Sequence, residues 1–215
     1  MKIYPSLISA DLLNLHTVIK NLEPHCDGFH LDIMDNHFVP NLTWGPMFIK
    51  AIAHATTKPV FVHLMIENAE KFLEKIEIKR ASTVSFHIEN TKNISEAIQR
   101  IRENKWHANI AIKPNTPLEK LFPYLGMIDS VLLMSVDPGF SGQRFLESSW
   151  ERLKKLAAYR KEEKMNFMIC MDGGINSTNI AELARNGCDE VGVAAAIFST
   201  PDPVAALKEL YNAAR

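Results

Sequence analysis

The chain has no excess of charge of either sign, which argues against partners that bind to a strongly charged surface. Among its 215 residues, 24 are Lys or Arg and 25 are Asp or Glu, so the formal net charge is -1. A nucleic-acid-binding domain usually carries a basic patch or stripe, which this balance does not provide. We therefore expect no nucleic-acid partner.

Long apolar runs and frequent cysteines are also missing. The longest apolar runs, Val131 to Met134 and Val191 to Phe198, fall well short of the roughly 20 residues of a membrane helix. The opening MKIYPSLISAD lacks the features of a secretory signal. Cys26, Cys170 and Cys188 are odd in number and widely spaced, with neither disulfide nor zinc spacing. We expect a cytoplasmic protein with reduced thiols and no membrane contact.

What the sequence does contain is a regular alternation of β-rich runs with helical patterns. The predicted strands are Lys2–Ile8, Gly28–Met34, Val60–Met65, Thr83–Ile88, Ala108–Lys113, Ser130–Val136, Asn166–Met171 and Glu190–Ala194. Strict alternation predicts a parallel sheet covered by helices. Eight units in this length predict one (β/α)8 TIM barrel over residues 1–215. An open doubly wound sheet is the second possibility, disfavoured because no Gly-x-Gly-x-x-Gly turn follows the first strand.

The segments between the strands have the spacing of amphipathic helices. In ESSWERLKKLAAYRKEE and AEKFLEKIEIKR, apolar residues recur three and four positions apart, with charges between them. Asn176 and Ser177 suit a helix N-cap, and Gly187 suits the stop that follows. These patterns predict helices over AEKFLEKIEIKR (residues 69–80) and after Ser177.

Polar residues recur where the predicted strands end, which is where barrel enzymes place their catalytic groups. Because alternate residues of a strand share a face, His30 and Asp32 should point together into the barrel. The residues of this predicted ring are Ser6, His30, Asp32, His63, His87, Lys113 and Asp172.

Two imidazoles and two carboxylates of this ring predict a metal site. His30, Asp32, His63 and Asp172 together suit a borderline divalent cation such as Zn²⁺, Mn²⁺, Fe²⁺ or Co²⁺. One such histidine alone is more often a hydrogen-bonded core residue. Buried carboxylates among apolar neighbours, however, each cost several kcal/mol unless a strong partner compensates them.

Two carboxylates around one cation also suggest a reaction. The metal would polarise the carbonyl of a bound ketose, and one aspartate could remove the adjacent carbon-bound proton to give a metal-stabilised enediolate. The second aspartate, on the opposite face of the sugar, could return a proton and invert that carbon. Each well-placed acid or base is typically worth roughly 10²–10⁴-fold in rate.

Glycine-rich loops after the sixth and seventh predicted strands indicate a phosphate site. DPGFSGQRF offers Gly139, Ser141 and Gly142, and DGG adds Gly173 and Gly174. Loops on this side of a barrel often bind phosphate through backbone N–H groups. The methionines Met34, Met65 and Met134 accompany the polar ring, either as ordinary core residues or as a wall that keeps water from the reacting carbons.

The motifs resemble those of a known family. PSLISADLLNL, HLDIMDNHFVPNLTWGP, HLMI, LMSVDPGFSGQRF and MDGGIN, in this order over essentially the whole chain, resemble the ribulose-phosphate 3-epimerases, which are metal-dependent (β/α)8 enzymes. The resemblance implies that His30, Asp32, His63 and Asp172 hold one divalent ion (Zn, Fe, Mn or Co). It also implies that Asp32 and Asp172 are the acid–base pair that interchanges D-ribulose 5-phosphate and D-xylulose 5-phosphate at carbon 3.

The same resemblance implies the substrate-binding residues and an assembly. Ser6 and His63 match sugar-contacting positions, and Met34, Met65 and Met134 match a methionine lining. The positions matching the phosphate grip are Gly139, Phe140, Ser141, Gly142, Gly173, Gly174, Ala194 and Ala195. Members of the family often form dimers or hexamers, so we expect a homo-oligomer.

Some residues depart from the family pattern. Ala194 and Ala195 stand where a Gly-Ser pair is usual, Ser141 replaces a usual glycine, and Asn36 occupies a position where glycine is common. The alanines remove a hydroxyl donor and add a Cβ near the predicted phosphate. These departures leave open the alternative of an allulose-6-phosphate 3-epimerase, which uses the same metal and aspartate pair on a six-carbon sugar.

Two other function classes are less favoured. A phosphosugar decarboxylase or aldolase would need a reacting lysine, and Lys113 is the only lysine at a predicted strand end. A non-catalytic sugar-phosphate sensor is motivated by Ala194 and Ala195 but would not need both aspartates. His87 also matches a family histidine and receives no assigned role, because a structural hydrogen bond explains it equally well.

Overall fold

Eight parallel strands form a closed barrel in the computed structural model, which describes residues 1–215. They are β1 (Lys2–Pro5), β2 (Phe29–Met34), β3 (Val60–Met65), β4 (Thr83–His87), β5 (His107–Ile112), β6 (Ser130–Met134), β7 (Met168–Asp172) and β8 (Glu190–Val193). The hydrogen-bonded order runs from β1 through β8 and down to β2. A parallel bridge between Ser6 and His30 joins the remaining edges. The predicted (β/α)8 barrel is confirmed, and the open doubly wound sheet is wrong.

Helices surround this barrel on its outer side. They are α1 (Leu15–Leu22), α2 (Pro46–Ala55), α3 (Ala69–Phe72), α4 (Ile94–Glu103), α5 (Ser148–Glu162), α6 (Ile180–Arg185), α7 (Ala195–Phe198) and α8 (Pro203–Ala213). The β5–β6 connection contains two short 3-10 turns, Leu118–Lys120 and Phe122–Tyr124, where the other connections contain an α-helix. None of the helices combines the length and apolar character needed to cross a bilayer.

Two of the predicted helices differ from the structure. The segment 69–80 is helical only through α3 and a 3-10 turn (Leu73–Lys75), because Ile76 is extended and buried in the core. Helix α6 begins at Ile180, three residues after Ser177; the Asn176 side chain accepts a hydrogen bond from the Thr178 N–H and its carbonyl accepts one from the Ile180 N–H, so Asn176 begins the turn that leads into the helix. Gly187 does follow the helix, with φ +92°, as predicted for a stop.

The two faces of the strands have different partners. In β2, Phe29, Leu31 and Ile33 belong to the large apolar core between the sheet and the helices. The alternate residues His30 and Asp32 point into the barrel, where they meet side chains from other strands. The helices thus bury the apolar face, and the inner face at the C-terminal strand ends is free for polar groups.

Gly28, which precedes β2, lies where the barrel is packed too closely for a larger residue. A Cβ added there would lie 2.4 Å from the Pro59 carbonyl oxygen and 2.6 Å from Tyr4 Cε1. Tyr4 is buried inside the barrel, so it has little room to move away. A close backbone contact therefore fixes the start of the strand that carries His30 and Asp32.

We expect Gly28→Ala to lower the free energy of unfolding by about 1–3 kcal/mol, the usual cost of overpacking a core. Gly126→Ala is the matched control, because no atom lies within 4 Å of a Cβ at that position. Its effect should stay within about 0.5 kcal/mol. Urea unfolding of both variants measures the difference, and equal midpoints would contradict the role given to Gly28.

Candidate metal centre and active site

Three strands bring the four predicted metal ligands together at the C-terminal end of the barrel. Asp32 and His63 are direct neighbours in the pairing of β2 with β3, and His30 precedes Asp32 by two residues on the same face. Asp172 is the last residue of β7. The four side chains each offer one ligand atom, and these atoms all lie within 4.8 Å of one another. The tertiary structure thus assembles the set that the sequence predicted, and this cluster could bind a metal ion.

Asp32 contacts three polar side chains: His63, His30 and Ser6. Its Oδ1 lies 3.4 Å from His63 Nδ1, and its Oδ2 lies 3.2 Å from His30 Nδ1. Ser6 Oγ donates a hydrogen bond to the same Oδ2, and His63 Nδ1 also lies 3.6 Å from Asp172 Oδ2. His63 Nδ1 is therefore shared between the two carboxylates.

The chemistry of these donors fits a divalent cation. His30 Nε2 and His63 Nδ1 are buried and have no hydrogen-bond partner. An ionised carboxylate can only accept, so a hydrogen on His30 Nδ1 serves Asp32 and leaves Nε2 with a free lone pair. Unpartnered buried nitrogens beside two carboxylates are costly unless a cation binds to them. Nitrogen and oxygen donors of this kind suit zinc and its neighbours in the first transition row.

Electrostatics favour the charged forms of Asp32 and His63 in the metal-free chain. Burial raises the pKa of Asp32, but the adjacent His30 and His63 outweigh it and hold that pKa well below its usual range. For His63, burial lowers the pKa, whereas the nearby carboxylates of Asp172 and Asp32 raise it to about 9. A proton on His63 therefore occupies the position that a cation would take.

Gly192 leaves space for two of these side chains. A Cβ on this residue of β8 would lie 3.2 Å from Asp172 Oδ1 and 3.3 Å from His30 Cδ2. Gly192 is not among the site residues predicted from the sequence. A glycine between two valines inside a strand is the signal that could have found it, because such glycines often mark a close approach.

A second line of polar residues extends behind His63. His63 Nε2 lies 2.9 Å from His87 Nε2, and His87 Nδ1 lies 3.2 Å from Glu89 Oε2. Burial lowers the pKa of His87 to about 4. Burial raises the pKa of Glu89, but the hydrogen bond and charge of His87 outweigh it and bring that pKa to about 2. Glu89 was missed in the sequence, although the His-x-Glu spacing at the end of a strand could have indicated it.

A cavity of about 480 Å³ opens above this cluster of histidines and aspartates. Asp32 and Asp172 lie in its wall, whereas His30 and His63 do not line it and are fully buried beside them. The other predicted substrate-binding residues all line it: Ser6, Met34, Met65, Met134, Gly139, Phe140, Ser141, Gly142, Gly173, Gly174, Ala194 and Ala195. The carboxylates are therefore accessible to a bound molecule, and the imidazoles are not.

The loops around the cavity contact one another. Ser9 Oγ, after β1, lies 2.7 Å from Ser141 Oγ, after β6. Asn41 Nδ2 donates to the Gly139 carbonyl at 2.7 Å, so the β2 loop also holds the β6 loop. Ser141, which replaces a usual family glycine, thus has a partner in this chain.

Backbone conformation explains three more positions. Gly174 has φ +66°, and a Cβ there would lie 2.3 Å from the Phe145 nitrogen, so this position requires glycine. Asn36, at another position where glycine is common, has φ +59°, a conformation that asparagine tolerates better than most residues. Ala194 has φ -106°, so its backbone does not require glycine.

Lys113 lies away from the reacting side of the cavity. Its Nζ sits 3.8 Å from the centre of the Phe38 ring, and the residue does not line the cavity. This position gives no support to a lysine-dependent decarboxylase or aldolase.

The affinity for a divalent metal should rise with pH because the metal must displace the proton of His63. Because the pKa of His63 is about 9, its proton competes with the metal below pH 9. The metal affinity should therefore increase by up to about tenfold per pH unit between pH 7 and 8.5. Titration of chelator-treated protein with Co²⁺ at several pH values measures this slope. His63→Gln should bind weakly with a flatter slope, and an equal slope in both proteins would contradict the assignment.

Comparisons with known proteins support one family. Residues 2–198 match the model of the Ribulose-phosphate 3 epimerase family. The chain is 37% identical to ribulose-phosphate 3-epimerase of Helicobacter pylori, covering 99% of this chain and 97% of that protein. It is 36% identical to that of Escherichia coli (98% and 94% covered) and 39% identical to that of Aquifex aeolicus (97% and 94% covered).

Solved structures with lower identity share the barrel. A 3-hexulose-6-phosphate synthase superposes with a TM-score of 0.66 at 16% identity, covering 100% of both chains. The tryptophan synthase A-subunit of Pyrococcus furiosus gives 0.69 at 14% identity, covering 98% of this chain and 96% of that one. At such identities the likeness concerns the fold alone. The family match over almost the whole chain and the relatives above 30% identity, however, show that this protein belongs to the ribulose-phosphate 3-epimerase family of enzymes.

Proposed function

We propose that this enzyme inverts carbon 3 of D-ribulose 5-phosphate to give D-xylulose 5-phosphate, using one divalent metal ion and two aspartates. The observation that carries the proposal is the convergence of Asp32 and Asp172 from different strands on one cluster in the cavity wall. Epimerisation of a carbon next to a carbonyl needs a proton removed from one face and returned to the other. Two carboxylates on separate strands can carry out these two proton transfers.

The metal would be held by His30, Asp32, His63 and Asp172, and when bound it would polarise the substrate carbonyl and stabilise the negative charge formed after proton removal. One aspartate takes the proton from carbon 3, and the resulting enediolate accepts a proton on its other face from the second aspartate. Exchange of roles between Asp32 and Asp172 gives the reverse reaction. In each direction the aspartate that takes the proton must be ionised and its partner must carry the proton that it donates; the lowered pKa of Asp32 supports Asp32 as an ionised base.

Neighbouring residues orient these groups and shield the intermediate. Ser6 Oγ donates to Asp32, which fixes the carboxylate, and Ser6 also lines the cavity where it can contact the sugar. Met34 and Met65 are almost fully buried at the ends of β2 and β3 and pack with Val39 of the β2 loop. With Met134 on β6, they present apolar surface beside the aspartates, which excludes water from the reacting carbons.

The phosphate would bind at the loops that follow β6, β7 and β8, which line the cavity. The backbone N–H groups of Gly174, Ala195 and Ala196 donate to no backbone carbonyl and belong to residues that line the cavity. Such N–H groups suit phosphate oxygens. The alanines at 194 and 195 retain these backbone donors, although they lack the hydroxyl of the usual family serine.

We also propose that the protein works as a homo-oligomer in the cytoplasm. Leu13 is 95% exposed and Met47 is 88% exposed, and such apolar side chains support a contact between copies. The three cysteines are buried and unpaired, which supports a reducing compartment.

Asp172→Asn should reduce epimerisation of D-ribulose 5-phosphate by roughly 10²–10⁴-fold, because an amide cannot act as acid or base. The measurement is formation of D-xylulose 5-phosphate, with exchange of the carbon-3 proton followed by NMR in heavy water. A chelator should abolish both in the unmodified protein.

Asp11→Asn is the control for this variant. Asp11 is exposed on the β1 loop and caps a short turn through the Leu13 N–H, a role that asparagine can also perform. It should retain parental activity. Epimerisation by Asp172→Asn within tenfold of the parent would contradict the two-aspartate mechanism, and an inactive parent that still binds the sugar phosphate would favour the sensor hypothesis.

The pentulose phosphate should be the better substrate than D-allulose 6-phosphate. The relatives of 36–39% identity carry the name ribulose-phosphate 3-epimerase, which supports a five-carbon sugar. Comparison of kcat/KM for the two sugars in parallel tests this preference. A higher kcat/KM on the hexulose phosphate would establish the alternative, with the same aspartate pair acting on a longer chain.

A further inference from the structure

We propose that Glu89 and His87 act as a positioning relay that fixes the tautomer of His63, so that its Nδ1 is available as a metal ligand. The inference rests on the proposed metal centre and extends it to two residues that do not contact the cavity. Neither would touch the substrate. Their effect would be to decide which nitrogen of His63 carries the hydrogen.

The relay begins at a carboxylate that is held in place. Glu89 Oε1 accepts a hydrogen bond from the Lys113 backbone N–H at 2.7 Å, and Oε2 lies 3.2 Å from His87 Nδ1. An ionised carboxylate has no hydrogen to donate. The hydrogen between Glu89 and His87 must therefore be on His87 Nδ1.

This placement fixes the direction of the next hydrogen bond. A neutral imidazole with a hydrogen on Nδ1 has a lone pair on Nε2. His87 Nε2 lies 2.9 Å from His63 Nε2, and one of these two nitrogens must donate. Since His87 can only accept there, His63 carries its hydrogen on Nε2 and donates it.

The consequence lies at the metal centre. In the neutral, metal-binding form of His63 this leaves Nδ1 without a hydrogen, and Nδ1 faces Asp32 Oδ1 and Asp172 Oδ2 at 3.4 and 3.6 Å. In the opposite tautomer, Nδ1 would carry a hydrogen and donate it to a carboxylate, which would block the lone pair that a metal needs. The relay therefore favours metal binding over an internal hydrogen bond, as carboxylate–histidine pairs do behind other metal sites.

The surroundings exclude water as a substitute partner. His63 is 0% and His87 is 1% exposed, so no solvent molecule can replace either hydrogen bond. The Phe38 ring covers His87 at 4.7 Å between centroids, and the Lys113 ammonium lies against Phe38. Deletion of His87 would leave the Nε2–H of His63 buried without an acceptor, and His63 would then be free to change tautomer.

The test compares Co²⁺ binding by chelator-treated parent protein and variants, followed by visible absorption of the bound ion. His87→Phe removes the acceptor and should raise the Co²⁺ dissociation constant about 10–100-fold. Glu89→Gln keeps the shape of the side chain without its charge and should raise the dissociation constant about tenfold. His87→Gln places a carbonyl oxygen near the former Nε2 and should remain within about threefold of the parent, because it can accept the same hydrogen.

Thermal unfolding of the metal-free proteins separates positioning from stability. A loss of metal-free stability in His87→Phe with Co²⁺ affinity unchanged would mean a structural role only and would overturn the relay. If the parent itself binds no Co²⁺, the proposed metal centre fails together with the relay. Binding by the parent and equally by His87→Phe overturns the relay alone.

A measurement on the unmodified chain does not depend on how the variants fold. Long-range ¹H–¹⁵N NMR of the Zn²⁺-loaded protein reports which nitrogen of each histidine is protonated. The relay requires hydrogen on Nδ1 of His87 and on Nε2 of His63. Hydrogen on Nε2 of His87 would overturn it.

Discussion

The placement of one buried and one partly buried carboxylate beside two buried imidazoles is the constraint on which the rest of this structure depends. Asp32 is 6% exposed, and Asp172 reaches the same cluster from the other side of the barrel mouth. Burying such charges is unfavourable unless a proton or a cation lies between them. In the metal-free chain the proton of His63 can fill this role, and in the working enzyme we propose that a divalent ion replaces it. Stability and chemistry therefore depend on the same few atoms.

The outer and inner faces of the barrel strands have different roles in meeting this constraint. The outer face of β2 packs into the large apolar core, which secures the strand, and the inner face carries the reactive groups. The barrel closes between β1 and β2 through the bridge of Ser6 with His30, and Ser6 also binds Asp32. Ser6 thus belongs both to the closure of the barrel and to the candidate active site.

The loops show how far this member of the family can depart from the usual residues. Asn36 can take the left-handed conformation that glycine takes elsewhere, and Ala194 does not need it. Gly174 could not be replaced in the same way, because Phe145 occupies the space that a side chain would need. Departures therefore occur where the backbone permits them, and they leave the cluster of histidines and aspartates unchanged.

The strands and the candidate metal ligands could be predicted from the sequence because alternation and strand-end polarity are local properties of the chain. His30 and Asp32 share a face through a two-residue repeat, and the count of eight units predicted the barrel. The helix predicted at 69–80 ends early because Ile76 is extended and buried, and the helix predicted after Ser177 starts three residues later, after the turn that Asn176 begins. Gly192 and Glu89 depend on neighbours 20 or more residues distant in sequence. Only the folded barrel decided that His87 lies behind His63 and that both aspartates reach one centre, because those distances are set by strands brought together in space.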